Sequence, residues 1–206
     1  MYDDNYYKDL YIKPLFTRLQ LSKIYYLWIA YFCIKKVTNI KQRNRVLDVG
    51  CGIGNLVWAL RKIGISAYGI DPSKTARKYC RSPKYCLYTS TKKLPYKNSY
   101  FDLVYTHEVL EHLSPRDLPL LINELLRVSK GKMIHMICVK DRGKIVNDEP
   151  THQIIQTESW WKKKFESLGF KVKVRNFFYF FPFIPYIFSG KLNFASLKKG
   201  CFFISK

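Results

Sequence analysis

The sequence predicts an α/β domain: a mostly parallel, seven-stranded sheet with helices on both faces, an antiparallel edge hairpin and an N-terminal helical extension. Three observations predict it. Short apolar runs alternate with amphipathic helical stretches from residue 45 to about 170, the pattern of parallel strands joined by crossover helices. The last two strand-like runs have no clear helix between them, which suits a hairpin. The 206 residues are 48% hydrophobic, enough for one buried core and short for two.

Residues 8–36 read as one or two helices, apolar nearly all round. Arg45–Val49 is a short buried strand that stops at glycines. Asn55–Ile63 has Leu56, Leu60 and Ile63 on one helical face, and Gly64 suits a left-handed cap. Ser66–Ile70 is a second strand ending at Asp71 and Pro72; Ser73 then caps a helix to about Cys80. Tyr85–Tyr88 and Phe101–Thr106 read as the third and fourth strands. Ser114, Pro115 and Asp117 form a helix start, followed by one apolar stripe of Leu118, Leu121, Ile122, Leu125 and Leu126. Met133–Val139 is a fifth, apolar strand. Thr157 caps a helix expected to turn Trp161, Phe165 and Leu168 inward before Gly169. Phe170–Arg175 and Cys201–Ile204 complete the strands. Residues 1–40 form the helical extension, 41–206 the main domain, and 176–199 an aromatic insertion in the closing hairpin.

Thirty-six Lys and Arg oppose 15 Asp and Glu, a net charge of +21. Such a field attracts nucleic acid, anionic lipid or an acidic acceptor, although the cations are spread along the chain as solvated lysines would be. The six cysteines show no metal-ligand spacing. No secretory signal opens the chain, so a reducing cytosolic setting is expected. Ile24–Ile34 and the aromatic run Phe177–Phe188 are too short to span a bilayer, which needs about 20 apolar residues. Either would suit a membrane surface, so a peripheral membrane contact stays open.

The most informative segment is Val46–Gly54. Gly50, Gly52 and Gly54 follow a strand and open a helix, so the backbone can turn sharply and approach a ligand. The spacing is neither the dinucleotide fingerprint nor a phosphate-binding P-loop. Asp48, two residues before the first glycine, suits a cationic ligand better than a pyrophosphate. Asp71, at the second strand's end, suits ribose hydroxyls. The implied ligand has a ribose, an amine and no pyrophosphate.

Val46–Gly54 resembles the first motif of class I S-adenosylmethionine-dependent methyltransferases, on a Rossmann-like fold. Gly69–Ser73 resembles their acidic second motif, Leu94–Asp102 the Leu-Pro-Phe to Phe-Asp stretch, and Val109–Leu113 the segment after the fourth strand. Glu149–His152, Trp160, Trp161, Gly169 and Phe170 are similar to later parts of this superfamily. The resemblance covers about residues 45–175 and implies S-adenosylmethionine as cofactor. By that resemblance Asp48 and the Gly50, Gly52 turn hold the methionine end, Asp71 takes the ribose hydroxyls, and Gly54 and Pro72 belong to the cofactor-binding set. Ser90 or Thr91 would edge the adenine, with Ser90 standing where related sequences carry an acid. His107 and Glu108 would sit beside the sulfonium.

Methyl transfer needs a positioned acceptor and, for oxygen or nitrogen, a base. His152, Glu108 and His107 are the candidates. Glu108, Glu111 and His112 would share a face if helical. Their pattern resembles the metal-binding set of ubiquinone-pathway O-methyltransferases; the alternative, that Glu111 and His112 only brace the loop, is preferred. His135 reads as a core residue. The expected acceptor is a small or lipid-linked molecule methylated at O or N. The alternatives are an RNA ribose or cap methyltransferase using the basic surface, and a non-catalytic binding subunit. Base-amine methylation of nucleic acid is disfavoured, because Thr106–Val109 replaces its proline-rich motif.

Overall fold

The computed structural model describes residues 17–140, 151–176 and 199–205. The expected aromatic insertion falls almost wholly outside them, as do Glu149, Pro150 and the first part of the N-terminal helix. Helix α1 spans Thr17–Trp28 and continues as a π-helical stretch, Ile29–Lys36. There follow β1 (Arg45–Val49), α2 (Asn55–Lys62), β2 (Ser66–Asp71), α3 (Lys74–Lys78), β3 (Cys86–Tyr88) and β4 (Leu103–His107). A 3₁₀ turn at Leu110–His112 leads to α4 (Asp117–Val128), β5 (Lys132–Cys138), α5 (Glu158–Glu166), β6 (Lys171–Asn176) and β7 (Lys199–Ser205).

The sheet order is β3-β2-β1-β4-β5-β7-β6. The first five strands are parallel, and β7 runs antiparallel to both β5 and β6. This is the expected α/β architecture with its antiparallel edge. Successive strand residues point to opposite faces, so Val46 and Leu47 enter different cores, as do Leu103 and Val104. One core packs the sheet against α2 and the π-helical stretch, through Ile29, Ile34, Leu56 and Leu60; the other packs it against α4 and α5, through Leu118, Leu121, Leu125, Trp161 and Phe165.

Several caps are as expected. The Ser73 hydroxyl accepts from Ala76 N at 3.1 Å, and Thr157 Oγ1 from Trp160 N at 3.2 Å. Ser114 Oγ accepts from Asp117 N at 3.1 Å and donates to its carboxylate at 2.8 Å. Two expectations fail. Leu168 is 39% exposed rather than inward, because α5 ends at Glu166 and the helical phase is lost beyond it. Glu108, Glu111 and His112 do not share a helical face: Glu108 has φ +52° and precedes the 3₁₀ turn. His135 is a core residue, 1% exposed, bonded to Thr106 Oγ1 at 2.8 Å and stacked on Phe165. Burial lowers its pKa to about 3.

The connection from β1 goes to β2 on one side, while β4 lies on the other. The crevice at the carboxyl ends of β1, β2 and β4 is therefore the switch point where such sheets bind ligands.

Candidate functional site

The turn after β1 is built by its glycines. Gly50 N and Cys51 N both donate to the Ile70 carbonyl, at 2.8 and 3.2 Å, fastening the turn to the end of β2. Gly50 has φ +76°, and a Cβ there would sit 2.3 Å from Val109 Cγ2, so only glycine fits. Gly52 has φ +51°, but a Cβ there would meet nothing within 4 Å. That open space belongs to a cavity of about 300 Å³ lined by Asp48, Gly50, Gly52 and Asp71. Gly54 is the residue before α2, packed toward Cys86 and outside the lining.

Two carboxylates share this crevice. Asp71 is 7% exposed; its Oδ2 accepts from Gly52 N and its Oδ1 from Ser73 N, both at 2.8 Å. Burial raises its pKa, opposed by those two N–H groups. Asp48 is 4% exposed, and its carboxylate has no hydrogen-bond partner among the described residues. Burial, reinforced by the charge on Asp71, pushes its pKa up to about 8. A buried carboxylate with no donor facing it gains most from an incoming cation. An open backbone above Gly52 and an acid at the β2 tip suit a sugar. The donor set thus fits S-adenosylmethionine, with its amine, positive sulfur and ribose.

Pro72, Ser73 and Thr91 line the cavity beside Asp71. Ser90 does not: it is exposed, and its hydroxyl accepts from Lys92 N at 3.2 Å. It closes a local turn instead of reaching the crevice, so of the two adenine candidates only Thr91 is in place.

The same cavity is lined by His107, Glu108, Val109, His112 and Leu113, with Tyr26 of α1 and Tyr105 of β4. The Tyr105 hydroxyl donates to Met136 Sδ at 2.8 Å and lies 3.4 Å from His107 Nδ1. His152 is absent from the lining. Its ring packs on His112 with centroids 4.6 Å apart, while Thr151 Oγ1 lies 3.0 Å from His112 Nδ1. Glu111 points away, fully buried, its Oε1 accepting from Cys138 N at 2.7 Å, and its carbonyl accepting from Gln153 N and Ile154 N. It braces the loop after β5, and no cluster of His, Cys, Asp and Glu suited to a metal exists among the described residues.

The lining and its support include residues with no assigned site role in the sequence, among them Tyr88, Tyr26 and Tyr105. Tyr88 donates to the Gly52 carbonyl at 2.9 Å; its pairing with Asp71 across β2 and β3 was the available signal. Tyr26 comes from a helix distant in sequence, and Tyr105 reads simply as a core position. The Leu94 segment is held by α4: Leu94 N donates to Glu124 Oε2 at 2.7 Å, and Arg127 donates to the Leu94 and Tyr96 carbonyls.

Residues 47–135 match the family described as a methyltransferase domain. No curated protein sequence matches the chain. Among solved structures the chain is similar to a SAM dependent methyltransferase from Aquifex aeolicus, with TM-score 0.67 and 19% identity over 100% of both chains. It is similar to one from Archaeoglobus fulgidus, with TM-score 0.65 and 18% identity over 92% of this chain and 100% of that one. It is also similar to magnesium protoporphyrin IX methyltransferase from Synechocystis PCC 6803 with bound SAH, with TM-score 0.67 and 16% identity over 97% and 92% of the two chains. Residues 47–135 thus match a methyltransferase domain, and the chain shares the fold of S-adenosylmethionine-dependent methyltransferases.

Proposed function

We propose that the enzyme methylates oxygen or nitrogen of a small or lipid-linked acceptor. The observation that carries this reading is one cavity lined both by Asp48 and Asp71 and by His107, Glu108 and His112. The cofactor supplies an electrophilic methyl group on positive sulfur. Asp48 faces the cationic methionine end, over Gly50 and Gly52. Asp71 retains lone pairs for ribose hydroxyls beyond the two it gives to Gly52 N and Ser73 N. Pro72 and Thr91 border the adenine. Tyr26, Val109 and Leu113 keep water from the acceptor end and orient an apolar acceptor.

Glu108 is the base in this reading, taking the acceptor's proton as the new bond forms. His107, beside the Tyr105 hydroxyl, orders that end of the cavity. His152 acts through His112, one ring away from the cavity, as a positioning residue.

The net charge of +21 favours a second reading, methyl transfer to the ribose or cap of RNA, and also favours contact with an anionic membrane surface. Calorimetry with S-adenosylmethionine and its demethylated product, then methyl transfer to phenol, amine and capped-RNA panels, tests the proposal. Binding with transfer to a small acceptor supports it. Transfer to RNA alone selects the second reading.

A further inference from the structure

The helix that lends Tyr26 to the cavity has an outward face that the cavity does not use. Its inward residues Ile29, Ala30, Cys33 and Ile34 are fully buried. Outward, Ile24 is 61% exposed, Tyr31 38% and Val37 48%. Trp28 stacks on Phe32 with centroids 4.1 Å apart, and Tyr31 meets Phe32 edge-on at 5.0 Å. Lys35 and Lys36 place their ammonium groups 5.4 and 5.6 Å from the Tyr31 ring centre, and Lys36 lies 5.5 Å from that of Phe32. The wide π-helical winding brings the position five residues on over Tyr31. Between residues 10 and 47 the chain holds eight Lys and Arg and no Asp or Glu.

We propose that this face docks on an anionic lipid bilayer; the inference deepens the membrane contact proposed above by giving it a place. Exposed Ile24 and Val37 enter the acyl boundary. Trp28, Tyr31 and Phe32 sit at headgroup level, and Lys35 and Lys36 extend along the rings to lipid phosphates. The most exposed apolar side chains of this face, Ile24 and Val37, are aliphatic and offer no face on which a base could stack, so a bilayer fits better than RNA. Tyr26 lies on the same helix, so docking holds the cavity close to the membrane, where a lipid-linked acceptor resides.

The test is co-sedimentation of the full chain with vesicles of phosphatidylcholine alone or mixed in equal parts with phosphatidylserine. Binding to the mixed vesicles that falls with added salt is expected. Each lysine is worth roughly fivefold at such a surface, so Lys35→Glu with Lys36→Glu should lower partition at least about tenfold. Ile24→Ser with Tyr31→Ser should lower it without changing net charge. Lys171→Glu with Lys173→Glu, on edge strand β6, makes the same charge change and should have a smaller effect. Affinity for the demethylated cofactor, measured on each variant, should stay unchanged and reports folding. Equal partition to neutral vesicles, or none to either, overturns the proposal. Partition that survives both helix variants but falls with the β6 variant overturns this face and leaves charge-driven contact standing. Retention on RNA with no vesicle binding overturns the proposal.

Discussion

Asp71 Oδ2 accepts a hydrogen bond from Gly52 N at 2.8 Å, so the acid at the tip of β2 also shapes the glycine turn it faces. A second bond, from Ser73 N to Oδ1, ties the same carboxylate to the start of α3. Asp71→Ala should therefore weaken cofactor binding by more than a lost ribose contact. Hydrogen bonds to a charged group contribute about 1.5–3 kcal/mol each, so a loss of at least about a hundredfold is expected. Asp71→Asn, which keeps one acceptor oxygen, should fall between. Calorimetry with the demethylated cofactor checks both, and near-normal affinity in Asp71→Ala would remove Asp71 from the cofactor site.

Asp48 makes binding and stability pH-dependent. Its pKa is raised from 3.8 to about 8, by burial first and the Asp71 charge second. The folded state thus holds a proton that the unfolded state has released. This stabilisation is complete below the unfolded value and is lost as pH climbs from about 4 to about 8. Asp48→Asn should flatten that slope and raise the stability of the ligand-free protein near pH 8, by on the order of a few kcal/mol. Denaturant melts across this pH range provide the check.

The same acid should release a proton when a cationic ligand arrives. Below pH 8, binding of S-adenosylmethionine to the wild type should show a heat that depends on the buffer's ionisation enthalpy, and Asp48→Asn should not. A buffer-independent heat in the wild type would show that Asp48 binds its ligand already ionised.

Tyr88 supports the turn from the third strand through its 2.9 Å bond to the Gly52 carbonyl. Tyr88→Phe keeps the ring and removes one bond of about 1 kcal/mol. A fall of roughly fivefold in cofactor affinity is expected, with folding intact. An unchanged dissociation constant would mean that the turn holds its shape without Tyr88.

Glu111 braces the loop after β5. Glu111→Ala leaves Cys138 N without its 2.7 Å acceptor in a fully buried site, at a cost of about 2–3 kcal/mol of stability. Prolonged dialysis against a chelator should leave wild-type turnover unchanged, and added divalent metal should not rescue Glu111→Ala. Turnover lost to the chelator and restored by one metal would reinstate the Glu108, Glu111 and His112 set.

The amino-acid order by itself determined the sheet, because strand and helix periods differ and the glycine turn follows the first strand directly. It also placed two acids at one crevice, since Asp48 stands one residue before the end of β1 and Asp71 ends the neighbouring parallel strand β2. Side-chain direction in the loops was decided only by the tertiary structure. Glu111 turns inward because Cys138 N needs an acceptor, His152 stops one ring short behind His112, and Ser90 closes a turn while Thr91 reaches the cavity. Tyr26 joins the site because its helix packs on α2. Such contacts link segments far apart in sequence, so no local period encodes them and burial in the folded chain selects them.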